Sequence, residues 1–209
     1  VNQQNDYYQT AGGPATTLPV PPEIAPEHTL NAHEWGMLSF LFSEVAFFST
    51  LIVAYVTLHN DNLSGPTSEV LSLPLAVATT SLLLASSFTV HLATHALGQN
   101  RASLFHLWWT VTIALGIAFL AGTAYEWYGL VVHDGLTISR NLFGSTFYTV
   151  VGFHALHVSA GVLAMLIILG LSLSKSIGPA QSTSARMVSW YWHFVDVVWI
   201  VVFIVFYLA

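Results

Sequence analysis

The run FGSTFYTVVGFHALHVSAGVLAMLIILGLSL, from Phe143 to Leu173, decides the fold. It is apolar and exceeds the roughly 20 residues that an α-helix needs to cross a hydrocarbon core about 30 Å thick. Four similar runs accompany it: Trp35 to Leu58, Leu73 to Leu97, Leu104 to Leu130, and Met187 to Leu208. Polar or turn-forming residues separate them. Asn60-Asp-Asn-Leu-Ser-Gly-Pro66 follows the first, Gly98-Gln-Asn-Arg101 the second, His133-Asp-Gly135 the third, and Lys175-Ser-Ile-Gly-Pro179 the fourth. No segment alternates with the short period of a membrane β-barrel, and no internal repeat is visible. The expected fold is all-α: an integral membrane bundle of five transmembrane helices over residues 34–209, preceded by a Pro-rich tail over 1–33.

Composition agrees. Of 209 residues, 55% are hydrophobic and 7% charged, whereas a soluble domain carries about 25% charged residues. Cysteine is absent, which excludes disulfides and thiolate metal sites. Four Lys and Arg against ten Asp and Glu leave no basic face for nucleic acid. The stretch from Val1 to Thr29 is polar and holds five prolines, and it lacks the basic and apolar regions of a signal peptide. It reads as an extended tail. Arg101 lies in the second loop, and Lys175 and Arg186 in the fourth. Arg140 faces Asp61, Glu69 and Asp134 on the opposite side. The positive-inside rule then places the tail in the cytoplasm and the C-terminus outside.

Small residues suit the runs for helix packing. Ala114, Ala118, Gly122 and Glu126 form one face of the third, and Ala155 and Ser159 are four apart on the fourth. Trp108, Trp109, Trp127, Trp190 and Trp192 fall near run ends, where interfacial aromatics gather. Three carboxylates interrupt the apolar runs, each expensive at depth if unpaired. Glu44 is nine residues past Trp35, about 14 Å in, near mid-membrane. Asp196 is six past Trp190, in the inner third. Glu126 falls near the outer interface and reads as a wetted carboxylate. His154 and His157 share a face of the fourth run, with His154 about 16 Å from the outer edge. The depths of Glu44 and these histidines coincide, so Glu44 is expected to bond His157 or His154. His91 and His95 lie nearer the inner end of the second run, too far from His154 to form a haem or metal site with it.

The stretches Ser43-Glu-Val-Ala-Phe-Phe48, Ala124-Tyr-Glu-Trp127, Tyr148-Thr-Val-Val-Gly-Phe-His-Ala-Leu-His-Val158 and Trp190-Tyr-Trp-His-Phe-Val-Asp-Val-Val-Trp-Ile200 resemble subunit III of haem-copper cytochrome c oxidase. They occur in that family's order on the first, third, fourth and fifth runs, and the resemblance spans Trp35 to Leu208. It is to the short, five-helix bacterial form, which lacks the first two of the family's seven helices.

The resemblance implies a subunit with no catalytic residue, cofactor or metal of its own, in an oxidase that reduces dioxygen to water and pumps protons. Haem and copper belong to partner subunits. Subunit I is the main contact, subunit II another partner, phospholipid fills a cleft, and a respiratory supercomplex is a further setting. The membrane is the bacterial cytoplasmic membrane. The family's lipid-contacting Arg near the inner end of the fourth helix has no counterpart, and Lys175 is the nearby cation. Glu44, His154, His157, Glu126, Asp196 and His193 are the buried polar residues for proton-linked roles. His91 and His95, with His28, His33 and His106 at the same end, read either as a proton antenna for uptake into subunit I or as ordinary interfacial histidines. Three alternatives stand beside this reading: subunit III of a quinol oxidase, an accessory protein of nitric-oxide reductase, and a stand-alone proton-coupled transporter. The last fits poorly with unbroken helices whose one proline, Pro74, sits at a helix start.

Overall fold

In the computed structural model, residues 31–58, 68–174 and 179–208 are described, with side chains from 182 onward in the last stretch. Most of the tail, with His28, and Lys175 lie outside the described residues, so the lipid contact expected of Lys175 is not located. Five helices follow one another: α1 Ala32–Leu58, α2 Leu73–Gly98, α3 Ala102–Val132, α4 Leu142–Ser174 and α5 Pro179–Phe203. A short 3-10 turn, Ser68–Val70, leads into α2, and α5 continues as a wider π-type turn, Ile204–Leu208. All five are long and apolar enough to cross a membrane.

Helix boundaries depart from the hydropathy reading at two places. α1 starts at Ala32, inside the stretch assigned to the tail. α5 starts at Pro179, eight residues before Met187. Proline is favoured at a first helical position, where its missing N–H costs nothing and its φ is already helical. The polar turns that follow are helical but extend past the apolar run, so hydropathy registers only the embedded part.

Between α2 and α3 the chain reverses within three residues, Gln99 to Arg101. Asn100 adopts φ 56°, a left-handed conformation that Asn tolerates better than other non-glycine residues. This turn lets the Arg101 N–H reach back to the Ala96 carbonyl at 3.0 Å. The two helices then run antiparallel in the most extensive pairing of the bundle. α5 packs on α2, α4 and α1, and α3 packs on α4. α1 touches mainly α4 and α5 and buries only Glu34, Phe48 and Tyr55.

At the centre stands Trp192 of α5, fully buried. Its ring lies against Gly116 of α3 and Gly161 of α4; a Cβ on either glycine would approach the ring to 2.8 Å. Its Nε1 donates to Ser86 Oγ of α2 at 2.9 Å. Trp109 is equally buried and donates to the Met165 carbonyl of α4 at 2.9 Å. These two tryptophans are therefore core anchors, not interfacial residues. Each lies near the end of its apolar run but on the face turned toward other helices, and that face decides the outcome.

Gly161→Ala should lower the stability of the bundle by about 1–3 kcal/mol, the usual penalty for overpacking, because Gly116 blocks the ring from moving away. Gly170→Ala, where a Cβ meets nothing within 4 Å, should be neutral. Denaturation midpoints of the two variants in detergent, compared with the parent, check this pair of outcomes.

Candidate functional site

α1 and α4 meet at the expected polar pair. His157 Nε2 lies 3.0 Å from Glu44 Oε2, and both side chains are largely buried. The other ring nitrogen, Nδ1, is 2.6 Å from the Phe153 carbonyl. A carbonyl only accepts, so Nδ1 carries a hydrogen. The Nε2–Oε2 contact then needs one proton between its two atoms. A protonated carboxyl donates to a neutral imidazole, or an imidazolium donates to a carboxylate. Either arrangement holds one proton and has no net charge, the form that a lipid-embedded site tolerates. Phe48 packs edge-on to the imidazole at 5.0 Å, with Phe47 beyond. From α5, the Tyr191 hydroxyl donates to the His157 carbonyl at 3.0 Å. Three helices thus converge on this residue.

His154 does not join the pair. It is fully buried among Trp199 at 4.9 Å, Phe119 at 5.9 Å and Phe48 at 6.4 Å. Neither ring nitrogen has a hydrogen-bond partner among the described residues. Residues three apart on a helix differ by about 60° in direction. That angle is enough, where helices meet, to send His157 toward α1 and His154 into the aromatic core.

Glu126 departs from the reading as a wetted interfacial carboxylate. It is 9% exposed, and its Oε2 accepts the Tyr207 hydroxyl at 2.8 Å. Ser72, at the start of α2, stands beside its carboxylate. The small-residue face expected for α3 does not pack inward as a whole: Ala114 and Ala118 are exposed, and only Gly122 approaches α2, at Thr79. The buried stripe instead runs through Gly116, Phe119, Thr123 and Leu130, and Glu126 lies on it.

Asp196 is 3% exposed, and neither carboxyl oxygen meets hydrogen-bond geometry among the described residues. The Ser87 hydroxyl of α2 stands beside it and also lies 2.7 Å from His193 Nδ1. His91 and His95 are exposed one and two turns from Ser87 on α2, and His95 lies near the Gln99 amide at 3.4 Å. His33 is exposed as well, whereas His106 is half-buried against Ser172 Oγ at 2.7 Å.

Four contacts escaped the sequence reading. Arg186 pairs with Glu34, joining the start of α5 to the start of α1. Trp199 donates to Thr80 Oγ1 at 2.9 Å, Trp192 donates to Ser86, and Thr89 and Thr112 share a hydroxyl bond of 2.8 Å. Spacing carried a signal for two of them. Trp192 and Trp199 are seven residues apart, Ser86 and Thr80 six, and on antiparallel helices both intervals rise about 10 Å. Among the described residues, no group of three or more His, Cys, Asp or Glu could hold a metal ion.

To test the pair, Glu44→Ala and His157→Ala should each destabilise the bundle, with a coupling in the double-mutant cycle of about 0.6–2 kcal/mol, the range of interhelical hydrogen bonds in membranes. Glu44→Gln, whose amide donates to a neutral imidazole, should recover most of the loss. Additive effects in the cycle, read by denaturant titration in mixed micelles, would contradict the contact.

The model of the family described as "Cytochrome c oxidase subunit III" matches residues 24–209. Over 195 residues the chain is 40% identical to "Cytochrome c oxidase subunit 3" of Corynebacterium diphtheriae, covering 91% of this chain and 94% of that one. "Probable cytochrome c oxidase subunit 3" of Mycobacterium leprae is 39% identical over 186 residues, 86% of this chain and 91% of its own. "Probable quinol oxidase subunit 3" of Staphylococcus saprophyticus is 32% identical over 183 residues, covering 87% and 90%.

Proposed function

Because the chain belongs to the cytochrome c oxidase subunit III family, we propose that it is the non-catalytic third subunit of a proton-pumping terminal oxidase that reduces dioxygen to water. The observation that carries this reading is the extent of the family match, which takes in all five helices. Haem and copper are assigned to partner subunits. Subunit I is the main contact, subunit II a second one, and a respiratory supercomplex the larger setting.

The architecture suits a supporting role. Long outward faces carry Phe42, Val53, Phe88, Leu156 and Leu163, all more than half exposed in the isolated chain. Such faces need lipid or a neighbouring subunit as cover. Phospholipid against α1 and α4 fits that need. The site itself offers proton-holding groups, Glu44 and His157. Arg101 and Arg186 at one end of the bundle favour a cytoplasmic placement of that end, with the N-terminus inside and the C-terminus outside the bacterial cytoplasmic membrane. There His91 and His95 serve as proton collectors for uptake by subunit I. Identity to relatives named for cytochrome c reaches 40%, against 32% for the quinol-named relative, which favours cytochrome c as electron donor.

An affinity tag on this chain should recover, from native membranes, a haem-absorbing complex that consumes oxygen with reduced cytochrome c. Recovery of the chain free of haem would overturn the assignment and return the transporter reading. In that complex Glu44→Ala should loosen this subunit and shorten the working life of the enzyme while leaving its initial turnover nearly unchanged.

The antenna reading makes a separate demand. Replacing His91 and His95 together with Gln should slow steady-state turnover at alkaline pH, where protons are scarce, and leave it unchanged at acidic pH. A pH–rate profile identical to that of the parent would reduce both residues to ordinary interfacial histidines.

A further inference from the structure

Asp196 is the one carboxylate of the bundle core whose two oxygens both lack a hydrogen-bond partner among the described residues. Among the described residues, no cation stands near its depth. Arg186 is ten residues earlier on the same helix, about 15 Å away along the axis, and is engaged by Glu34. Arg101 immediately precedes α3 and Arg140 precedes α4, both at bundle ends. An ionised carboxylate left unpaired here would cost several kcal/mol. The other titratable groups on elements packed against α5 are engaged or turned elsewhere. Glu44 holds His157, His154 stacks on Trp199, Glu126 holds Tyr207, and Tyr191 bonds a backbone carbonyl.

What does reach Asp196 is a polar string that leads to one surface only. Ser87 stands beside the carboxyl and lies 2.7 Å from His193 Nδ1. His91, one turn from Ser87 on α2, is within electrostatic reach of His193 and is exposed. His95 continues the same face by another turn. In the other direction the string ends. One turn beyond Asp196, Trp199 is bonded to Thr80 and packed by Phe119 and His154.

Ser87 differs from its neighbours in one chemical respect. Thr79, Thr80, Ser81, Ser86 and Thr89 all direct their hydroxyl protons to carbonyls of their own helix. Ser87 makes no such bond, so its hydroxyl can accept a proton on one side and donate one on the other.

We propose that Asp196 is a dead-end proton store, loaded and emptied from the His91 end of the bundle through His193 and Ser87. A proton arriving at His193 Nε2 gives the imidazolium, and the Nδ1 proton passes to Ser87 Oγ. The Ser87 hydroxyl proton passes to the Asp196 carboxylate, leaving a neutral acid, a serine hydroxyl and a neutral imidazole. Unloading reverses each transfer, and rotation of the Ser87 hydroxyl or one bridging water spans the gap to the carboxyl. This assignment stands on the geometry of α2 and α5 and does not depend on the antenna reading or on the electron donor.

Infrared spectroscopy of the purified, lipid-reconstituted complex that carries the chain reads the carboxyl directly. The parent should show a protonated-carboxyl stretch that shifts on transfer to heavy water, and Asp196→Asn should remove it. Should Asp196→Asn fail to assemble, Asp196→Glu assigns the band by moving it. Ser87→Ala and His193→Gln should each slow the deuterium shift about tenfold, equivalent to about 1.4 kcal/mol on a barrier. His106→Gln, on the unrelated Ser172 contact, should leave the rate at the parent value. A spectrum that neither Asp196 substitution alters, parent-rate exchange in both relay variants, or equal slowing in His106→Gln would each overturn the proposal.

Discussion

The position of the Trp192 ring governs the arrangement of the other helices. Lipid tails are as apolar as side chains, so burying apolar surface does not by itself drive helices together in a membrane. Close contact and interhelical hydrogen bonds must do it. Trp192 supplies both. Its ring fills the space left by two glycines on α3 and α4, and its N–H finds Ser86 on α2. Ser86 can accept because its own proton is already directed to the Leu83 carbonyl at 2.6 Å. Thr80 repeats the device for Trp199, donating to Ala76 while accepting the second indole. Two such contacts fix both the rotation and the height of α5 against α2. That register carries His193 and Asp196 to Ser87 and puts Tyr191 against α4.

Buried polar groups in this bundle fall into two kinds with different physical consequences. Glu34 with Arg186 and Glu44 with His157 are contacts that bridge separate helices, and Glu126 Oε2 with Tyr207 is a third, although Glu126 Oε1 has no hydrogen-bond partner among the described residues. Each contributes only about 0.6–2 kcal/mol as a bond, but losing one partner leaves the other exposed to a larger desolvation penalty. They act as registers more than as glue. Asp196 and His154 are open, with no bond at the carboxyl or the ring nitrogens among the described residues. Their surroundings separate them further. His154 is enclosed by aromatic faces, whereas Asp196 has a polar neighbour that itself leads toward the surface.

Depth was legible in the sequence, and direction was not. A helix rises about 1.5 Å per residue, so counting from the run ends put Glu44 level with the histidines of α4, and the pair forms at 3.0 Å. The five helices were legible for the same reason, since long uncharged runs admit few other structures. Facing is another matter. Soluble helices reveal their inner side by an apolar stripe, but these are apolar all round. Trp109 and Trp192 therefore read as interfacial while being buried, and Glu126 read as wetted while facing Tyr207. The early start of α5 escaped because its first turns are polar, and hydropathy detects embedding, not helicity.

The attachment of α1 shows what this division between depth and direction implies. Only Glu34, Phe48 and Tyr55 of its residues are buried. Together with Glu44 they fall within a stripe about 80° wide at 100° per residue. Along it, contacts occur at three heights. Glu34 meets Arg186 near one end, Glu44 meets His157 in the middle, and the Tyr55 ring lies 4.1 Å from that of Phe206 near the other. Residues 34 and 55 are separated by about 32 Å of helix, close to the full thickness of the hydrocarbon core. A narrow seam pinned at both interfaces and at the midplane resists both sliding and tilting, although it buries little surface. It leaves most of the circumference of α1 free, with Phe42 and Val53 pointing outward. The helix is thus held in a fixed orientation while presenting a broad apolar face to whatever adjoins it, and the two polar pins set that orientation because apolar contact in lipid is too unspecific to do so.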